Sequence, residues 1–294
     1  MESQEDAKTR AARTYNAASD HFDDPANSFW ERFGRRTVER LDLNPGSRVL
    51  DVCCGSGASA IPAAEAVGAN GFVLGVDLAE NLLQLARSKT VRRGLTNIEF
   101  RHGDILNLGQ PDFHFDAVVC VFGIFFVPEM QVAVRELWRR VTPGGKLAIT
   151  TWGPRFFEPA STAFWNSIRR VRPDLYKGFN PWDRITDPDS LRSLLTEAGV
   201  IPEAEASAAG GVNAVDRTNS VEVTLEGGTQ PVRSPEDWWS MVLGSGYRGT
   251  IEQLDAESRE QVRQENLSFI RESGVTSVEA NVVYAVATRE GRGS

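Results

Sequence analysis

The spacing of apolar residues changes along this chain. Residues 4–21 and 28–42 carry them at helical intervals, and Asp23-Asp24-Pro25 breaks the run between the two. From the turn signal Asn44-Pro45-Gly46 onward, short apolar runs alternate with longer amphipathic ones. The pattern predicts strands at Ser47–Asp51, Phe72–Asp77, Ile98–Arg101, Phe115–Val121 and Lys146–Trp152, the last after the turn Pro143-Gly144-Gly145. Helices are expected between them at Ala58–Val67, Glu80–Arg92 and Met130–Val141. Phe115–Val121 is apolar almost throughout, as suits a strand buried on both faces. Alternation of this kind implies βαβ crossovers and a parallel sheet.

Beyond Trp152 the pattern loosens. Residues 154–185 are rich in aromatics and prolines, and a helix fits Asp189–Ala198. A weaker extended stretch runs from Ile201 to Glu226, two more helices fit Pro235–Val242 and Ile251–Glu272, and a last strand covers Val278–Thr288. The expected organisation is a helical arm at 1–43, a Rossmann-like core at 44–153, covering segments at 154–275, and a final strand and tail at 276–294.

Composition narrows the function more than the fold. The formal charge of −8 over 294 residues argues against a nucleic-acid partner, since phosphate binding needs a basic face. No window is long and apolar enough to suggest a membrane span, and Met1–Arg13 does not read as a signal peptide. Cys53, Cys54 and Cys120 are odd in number and lack metal-ligand spacing, so neither a disulfide framework nor a metal site is expected, and a cytoplasmic setting is.

Candidate chemistry concentrates in Val49-Leu50-Asp51-Val52-Cys53-Cys54-Gly55-Ser56-Gly57-Ala58. A strand ends in an acid, a glycine turn follows, and a helix begins. Glycines let the backbone approach a ligand closely, and the helix start offers unpaired N–H groups to an anionic moiety. Alone, the loop is ambiguous. Gly55-Ser56-Gly57-Ala58-Ser59-Ala60 also fits the dinucleotide pattern G-x-G-x-x-A, with Asp77 twenty residues after Gly57. An NAD-dependent oxidoreductase is therefore an alternative, and both readings place Asp77 on ribose hydroxyls.

The wider chain resembles the class I S-adenosylmethionine-dependent methyltransferases, in particular the group similar to ubiquinone and menaquinone biosynthesis C-methyltransferases. The resemblance runs from about Tyr15 to Trp152 and rests on five segments in order. Val49–Gly57 is similar to the first motif, with Cys53 standing where many members have glycine, and Gly75-Val76-Asp77-Leu78 to the second. Phe100–Ile105 resembles the segment whose acid, here Asp104, reaches the adenine amino group. Phe115–Phe122 resembles the fourth motif, and Leu137–Leu147 the approach to strand five.

The resemblance implies a doubly wound, mostly parallel seven-stranded α/β sheet with an antiparallel last strand. It also implies S-adenosylmethionine as cofactor, held among Tyr15, Asp51, Cys53, Gly55, Gly57, Asp77, Leu78, Asp104, Ile105 and Val121. Methyl transfer from it is a direct displacement, in which the protein contributes alignment and exclusion of water. The aromatic segments after strand five make Phe125, Trp152, Trp182, Trp239 and Tyr247 candidates for an apolar or aromatic small-molecule pocket, although such residues also pack ordinary cores. No general base stands out: His21 reads as a solvated arm residue, His102 as a neighbour of the cofactor rather than a base and His114 as a surface loop residue, and Tyr15, Tyr176 and Tyr247 serve equally well as apolar walls. A non-catalytic cofactor-binding relative is a further alternative. A protein or RNA methyltransferase is disfavoured by the acidic balance and by Phe122-Gly123-Ile124-Phe125 in place of an Asn-Pro-Pro-Tyr-type tetrapeptide.

Overall fold

A computed structural model describes residues 4–109, 112, 114–202 and 219–291. The arm consists of α1 (Gln4–Ala18) and α2 (Phe29–Leu41). The core follows as β1 (Arg48–Val52), α3 (Ala60–Val67), β2 (Phe72–Asp77), α4 (Glu80–Arg93), β3 (Ile98–His102), β4 (Phe115–Val121), α5 (Met130–Arg140) and β5 (Val141–Trp152). Then come α6 (Ala160–Val171), α7 (Pro188–Glu197), β6 (Ser220–Glu226), β7 (Thr229–Pro231), α8 (Pro235–Leu243), α9 (Arg248–Ile251), α10 (Ala256–Glu272), β8 (Ser277–Glu279) and β9 (Val282–Thr288).

Seven strands form one sheet in the order β3-β2-β1-β4-β5-β9-β6. β1 to β5 pair in parallel, and β9 runs antiparallel between β5 and β6. This is the expected mostly parallel sheet with its antiparallel last strand. The order reverses beside β1, so the carboxyl ends of β1 and β4 flank a crevice where α/β sheets bind ligands.

Local chemistry moves several expected boundaries. The helix expected at Ile251–Glu272 is two, because Asp255 leaves helical geometry and its side chain accepts from Ser258 N as the N-cap of α10. The expected strand Val278–Thr288 splits before Val282: β8 pairs with β7, whereas β9 joins the main sheet. Asn281 fixes the break, with Oδ1 accepting from Gly228 N and Nδ2 donating to Pro154 O. β5 begins earlier than expected, at Val141, and the Pro143-Gly144-Gly145 segment becomes a register shift against β4. Of the stretch Ile201 to Glu226, residues 203–218 lie outside the described residues, and Ser220–Glu226 is the edge strand β6.

Three apolar cores hold these layers. α2, α3 and α4 cover one sheet face through Val38, Leu41, Ile61, Leu83 and Ala86. α5 and α7 cover the other through Leu137, Trp138, Leu191 and Leu195. A third, strongly aromatic core joins Phe22, Phe29, Trp30 and Phe33 of the arm region to α6, α8 and α10. α2 reaches the glycine loop because Gly34 has no side chain: a Cβ there would lie 2.5 Å from the carbonyl carbon of Ala58.

Candidate cofactor and acceptor site

A largely apolar cavity opens at the carboxyl ends of β1, β2, β3 and β4, beneath α1. Its floor is the turn after β1. Cys53 and Gly55 both adopt left-handed backbone there, at φ 56° and 53°. That conformation suits glycine, the residue that the family resemblance implies at the Cys53 position. Cys53 is accommodated by Gly123, where an added Cβ would sit 2.3 Å from the Cys53 Cβ. A hydrogen bond with Cys120, together with burial, raises the Cys53 thiol well above its ordinary range.

Asp77, at the end of β2, fastens this turn. Its Oδ2 accepts from Gly55 N at 2.8 Å and its Oδ1 from Ala79 N at 2.7 Å. A carboxylate offers about four lone-pair sites, so about two stay open toward the cavity. Burial pushes the Asp77 carboxyl above the usual range, and the Ala79, Gly55 and Leu78 amides oppose it.

Asp104 follows β3 at the far end of the cavity, where Oδ1 accepts from Leu106 N at 3.0 Å and Oδ2 pairs with Lys8 of α1. Tyr15 stands between them, edge-on to Phe22 and Phe126. Burial, then the charges of Asp77 and Cys53, raise its hydroxyl far above the ordinary tyrosine range.

Eight of the ten residues expected around the cofactor line this cavity: Tyr15, Cys53, Gly55, Asp77, Leu78, Asp104, Ile105 and Val121. Asp51 and Gly57 do not. Asp51 is buried behind the turn, accepting from Ser59 Oγ at 2.7 Å, and its Oδ1 has no partner. Burial, reinforced by the charge of Asp77, pushes its carboxyl up to about 7 against the hydrogen bonds from Ser59 and Ala60. Gly57 has φ 86° and faces away from the cavity, where a Cβ would meet Ile61 Cδ1 at 3.0 Å.

Three residues of the arm were missed in the sequence. Lys8, Ala11 and Ala12 line the cavity from α1 beside the expected Tyr15. Their spacing is one helical face, small in the middle and polar at both ends, which is a legible signal for a helix lying over a ligand. Asp23 is also functional in position: it accepts from Ser56 Oγ at 2.7 Å and from Lys89 Nζ at 2.9 Å, tying the arm to the turn and to α4.

A second cavity shares Ala11 and Phe126 with the first. Phe125 and Trp182, expected at the acceptor pocket, line it. Trp152, Trp239 and Tyr247 line neither cavity. They are packed into the aromatic core, with Trp152 stacked on Phe122 at 4.1 Å and the Tyr247 hydroxyl donating to Ser161 Oγ at 2.9 Å. Ring–ring packing holds Trp152 and Tyr247, and apolar burial Trp239, behind the surface they were expected to form. Among the described residues no cluster of His, Cys, Asp and Glu is placed to hold a metal ion, and no helix is long and apolar enough to cross a membrane.

Residues 49–145 match the family model described as "Methyltransferase domain". The chain is 37% identical over 153 residues to a demethylmenaquinone methyltransferase from Geobacillus kaustophilus (strain HTA426), covering 50% of this chain and 65% of that protein. It spans about half to two thirds of the length of the curated relatives it matches. Among solved structures it superposes on the YcgJ protein of a Bacillus species with TM-score 0.55 and 17% identity, covering 88% of this chain and 99% of that one. It also superposes on Haemonchus contortus phosphoethanolamine N-methyltransferase 2, solved with phosphomonomethylethanolamine and S-adenosylhomocysteine, at TM-score 0.55 and 15% identity, covering 97% of this chain and 60% of that one. Residues 49–145 are therefore similar to a methyltransferase domain and to part of the demethylmenaquinone methyltransferases, and they lie in a Rossmann-like sheet.

Proposed function

We propose that this protein is an S-adenosylmethionine-dependent methyltransferase acting on an apolar or aromatic small molecule. The observation that carries the reading is the Asp77–Gly55 clasp at the floor of an apolar cavity, inside the matched domain. The residues present suit the cofactor. A Cβ on Gly55 would point toward the Phe22 ring at 3.6 Å, so the glycine leaves backbone open to a ligand. Asp77 keeps acceptor capacity for ribose hydroxyls, Leu78 and Ile105 offer apolar walls for a purine, and Asp104 stands at its edge. Lys8 shares Asp104, so the purine amino group and the lysine address the same carboxylate.

Bound S-adenosylmethionine supplies an electrophilic methyl group on a sulfonium. The chain's own residues orient and enclose it. Tyr15 and Phe126 close the cavity toward α1 and exclude water, and the Tyr15 hydroxyl stays protonated. The dinucleotide alternative loses ground at Gly57. The second glycine of that pattern serves close approach to a pyrophosphate, whereas here it packs on Ile61 and Phe100. The quinone-related substrate of the menaquinone relatives suits the apolar walls Phe125, Phe126 and Trp182 of the second cavity, and three unpaired cysteines suit a reducing compartment such as the cytoplasm.

A thermal-shift comparison of S-adenosylhomocysteine, NAD and NADP tests the reading. Stabilisation by S-adenosylhomocysteine alone is expected, followed by a product one CH2 heavier when acceptors are supplied with S-adenosylmethionine. Stabilisation by NAD alone overturns it.

A further inference from the structure

The second cavity lies between α1, the loop after β4 and the segment 177–184. Its lining combines two kinds of side chain. Phe125, Phe126, Phe179 and Trp182 form apolar walls, and Phe179 is 63% exposed at the rim. The charged lining residues are Arg10, Lys177 and Arg184, with no carboxylate among them.

Arg184 is the built part of this arrangement. It ends a short 3-10 turn opened by a capping box between Asn180 and Asp183. Its Nη1 donates to Phe125 O at 3.2 Å and to Val127 O at 2.7 Å, and its Nη2 to Pro128 O at 2.7 Å. These carbonyls belong to the loop that also carries Phe126, so one guanidinium ties the wall shared by both cavities. Carbonyl dipoles orient the cation but do not neutralise it. Among the described residues no salt bridge does so either, and Glu129 acts on it only from a distance. The guanidinium has further N–H groups, and none meets a protein acceptor among the described residues. A half-buried cation with unused donors, facing an aromatic hollow, is suited to a planar anion held through paired N–H bonds.

We infer that the second cavity is the acceptor site and that it selects a carboxylate-bearing aromatic molecule, with Arg184 holding the carboxylate and the rings lying along Phe125, Phe126 and Trp182. The inference rests on the proposed methyl transfer and adds the substrate class. Phe126 and Ala11 line both spaces, so the acceptor cavity adjoins the cofactor cavity across that shared wall, and the molecule's far end would have to pass these two side chains to meet the methyl group. Arg184 thus acts as a positioning residue for the acceptor and has no part in the bond change.

The test pairs hydroxylated benzoic, cinnamic and naphthoic acids with their methyl esters. Each is titrated into the protein saturated with S-adenosylhomocysteine, with affinity read by calorimetry. At least one acid is expected to bind about tenfold or more tightly than its ester, the change one charge-assisted hydrogen bond carries. Arg184→Gln should erase that preference and Arg184→Lys should retain part of it, with S-adenosylhomocysteine affinity within a few-fold of the parent. Esters binding as well as acids throughout, no acid binding at all, or a preference that survives Arg184→Gln each overturn the inference. If Arg184→Gln fails to fold, the acid-to-ester ratio of the parent protein decides alone. Failure of S-adenosylhomocysteine to bind the parent protein would instead remove the methyltransferase reading beneath it.

Discussion

A carboxylate that already accepts two backbone amides can take about two more hydrogen bonds, and Asp77 is in that position at the cavity floor. Asp77→Ala removes both the ribose acceptor and the clasp on Gly55. S-adenosylhomocysteine affinity should fall about 10- to 150-fold, the range of one charged hydrogen bond, and calorimetry reads it directly. Unchanged affinity would take Asp77 out of the site. Asp51 gives a different signature. Folded, it keeps its proton up to about pH 7, whereas an exposed aspartate loses it near about pH 4. The unfolded chain therefore releases a proton over that window, and stability falls as pH rises from about 4 to about 7, then levels. Asparagine cannot ionise, so the melting temperature of Asp51→Asn relative to the parent should climb across the window and flatten above it. A constant difference from about pH 5 to about pH 8 would return the carboxyl to its ordinary range. Gly57 shows how a motif position can be legible while its role is not. Its left-handed φ of 86° and the Ile61 contact mark a packing constraint, so Gly57→Val should destabilise the fold by about 1–3 kcal/mol. Native melting with cofactor binding abolished would put the glycine back against the ligand.

At the scale of elements, legibility followed how local the cause was. β1 to β5 and the helices between them were readable because each apolar run has its own period and its own punctuation, such as Asn44-Pro45-Gly46 before β1. The split of the last strand was not, since Asn281 breaks it through Gly228 and Pro154, both remote in sequence. The aromatic segments were legible as apolar elements but not as to which side each ring faces. Trp239 and Trp182 make that distinction measurable. Trp239 is 8% exposed and sits in the third core, so Trp239→Ala should cost about 3–5 kcal/mol and lower the melting temperature. Trp182 touches Phe156 and Tyr247 on one side and lines the second cavity on the other. Trp182→Ala should raise the acceptor's KM while S-adenosylhomocysteine affinity stays within a few-fold. Equal effects of the two replacements on cofactor and acceptor would reduce both rings to core packing.

Across the whole molecule, α1 is the element that touches everything a ligand would touch. Lys8 pairs with Asp104 of the sheet, and Asn16 accepts from Asn81 N at 2.9 Å. On the other side Arg248 of α9 donates to Asp20, just past the end of α1, at 3.1 Å, and Thr14 packs so closely on Gly249 that a Cβ there would lie 2.4 Å from Thr14 Oγ1. Both cavities are lined by α1, so movement of this helix is expected to widen the way in for a ligand the size of S-adenosylmethionine. The fastenings suit such movement. Polar links and ion pairs near the surface contribute about 0–1 kcal/mol each, Tyr15 adds ring contacts with Phe22 and Phe126, and the aromatic core from Phe22 onward anchors the chain just beyond the helix. Such an opening is expected to hinge near residues 19–21, between the end of α1 and the next helical turn, and to leave α2 in place. A ligand that contacts Tyr15 and the Asp104 carboxylate binds the closed form better and shifts the balance toward it. Hydrogen exchange followed by mass spectrometry should therefore show S-adenosylhomocysteine slowing α1 far more than α7, which packs on the opposite sheet face away from both cavities. Slowing spread evenly over α1 and α7 would point to global stabilisation alone, and an α1 whose exchange ignores the ligand would mean that it does not cover the site.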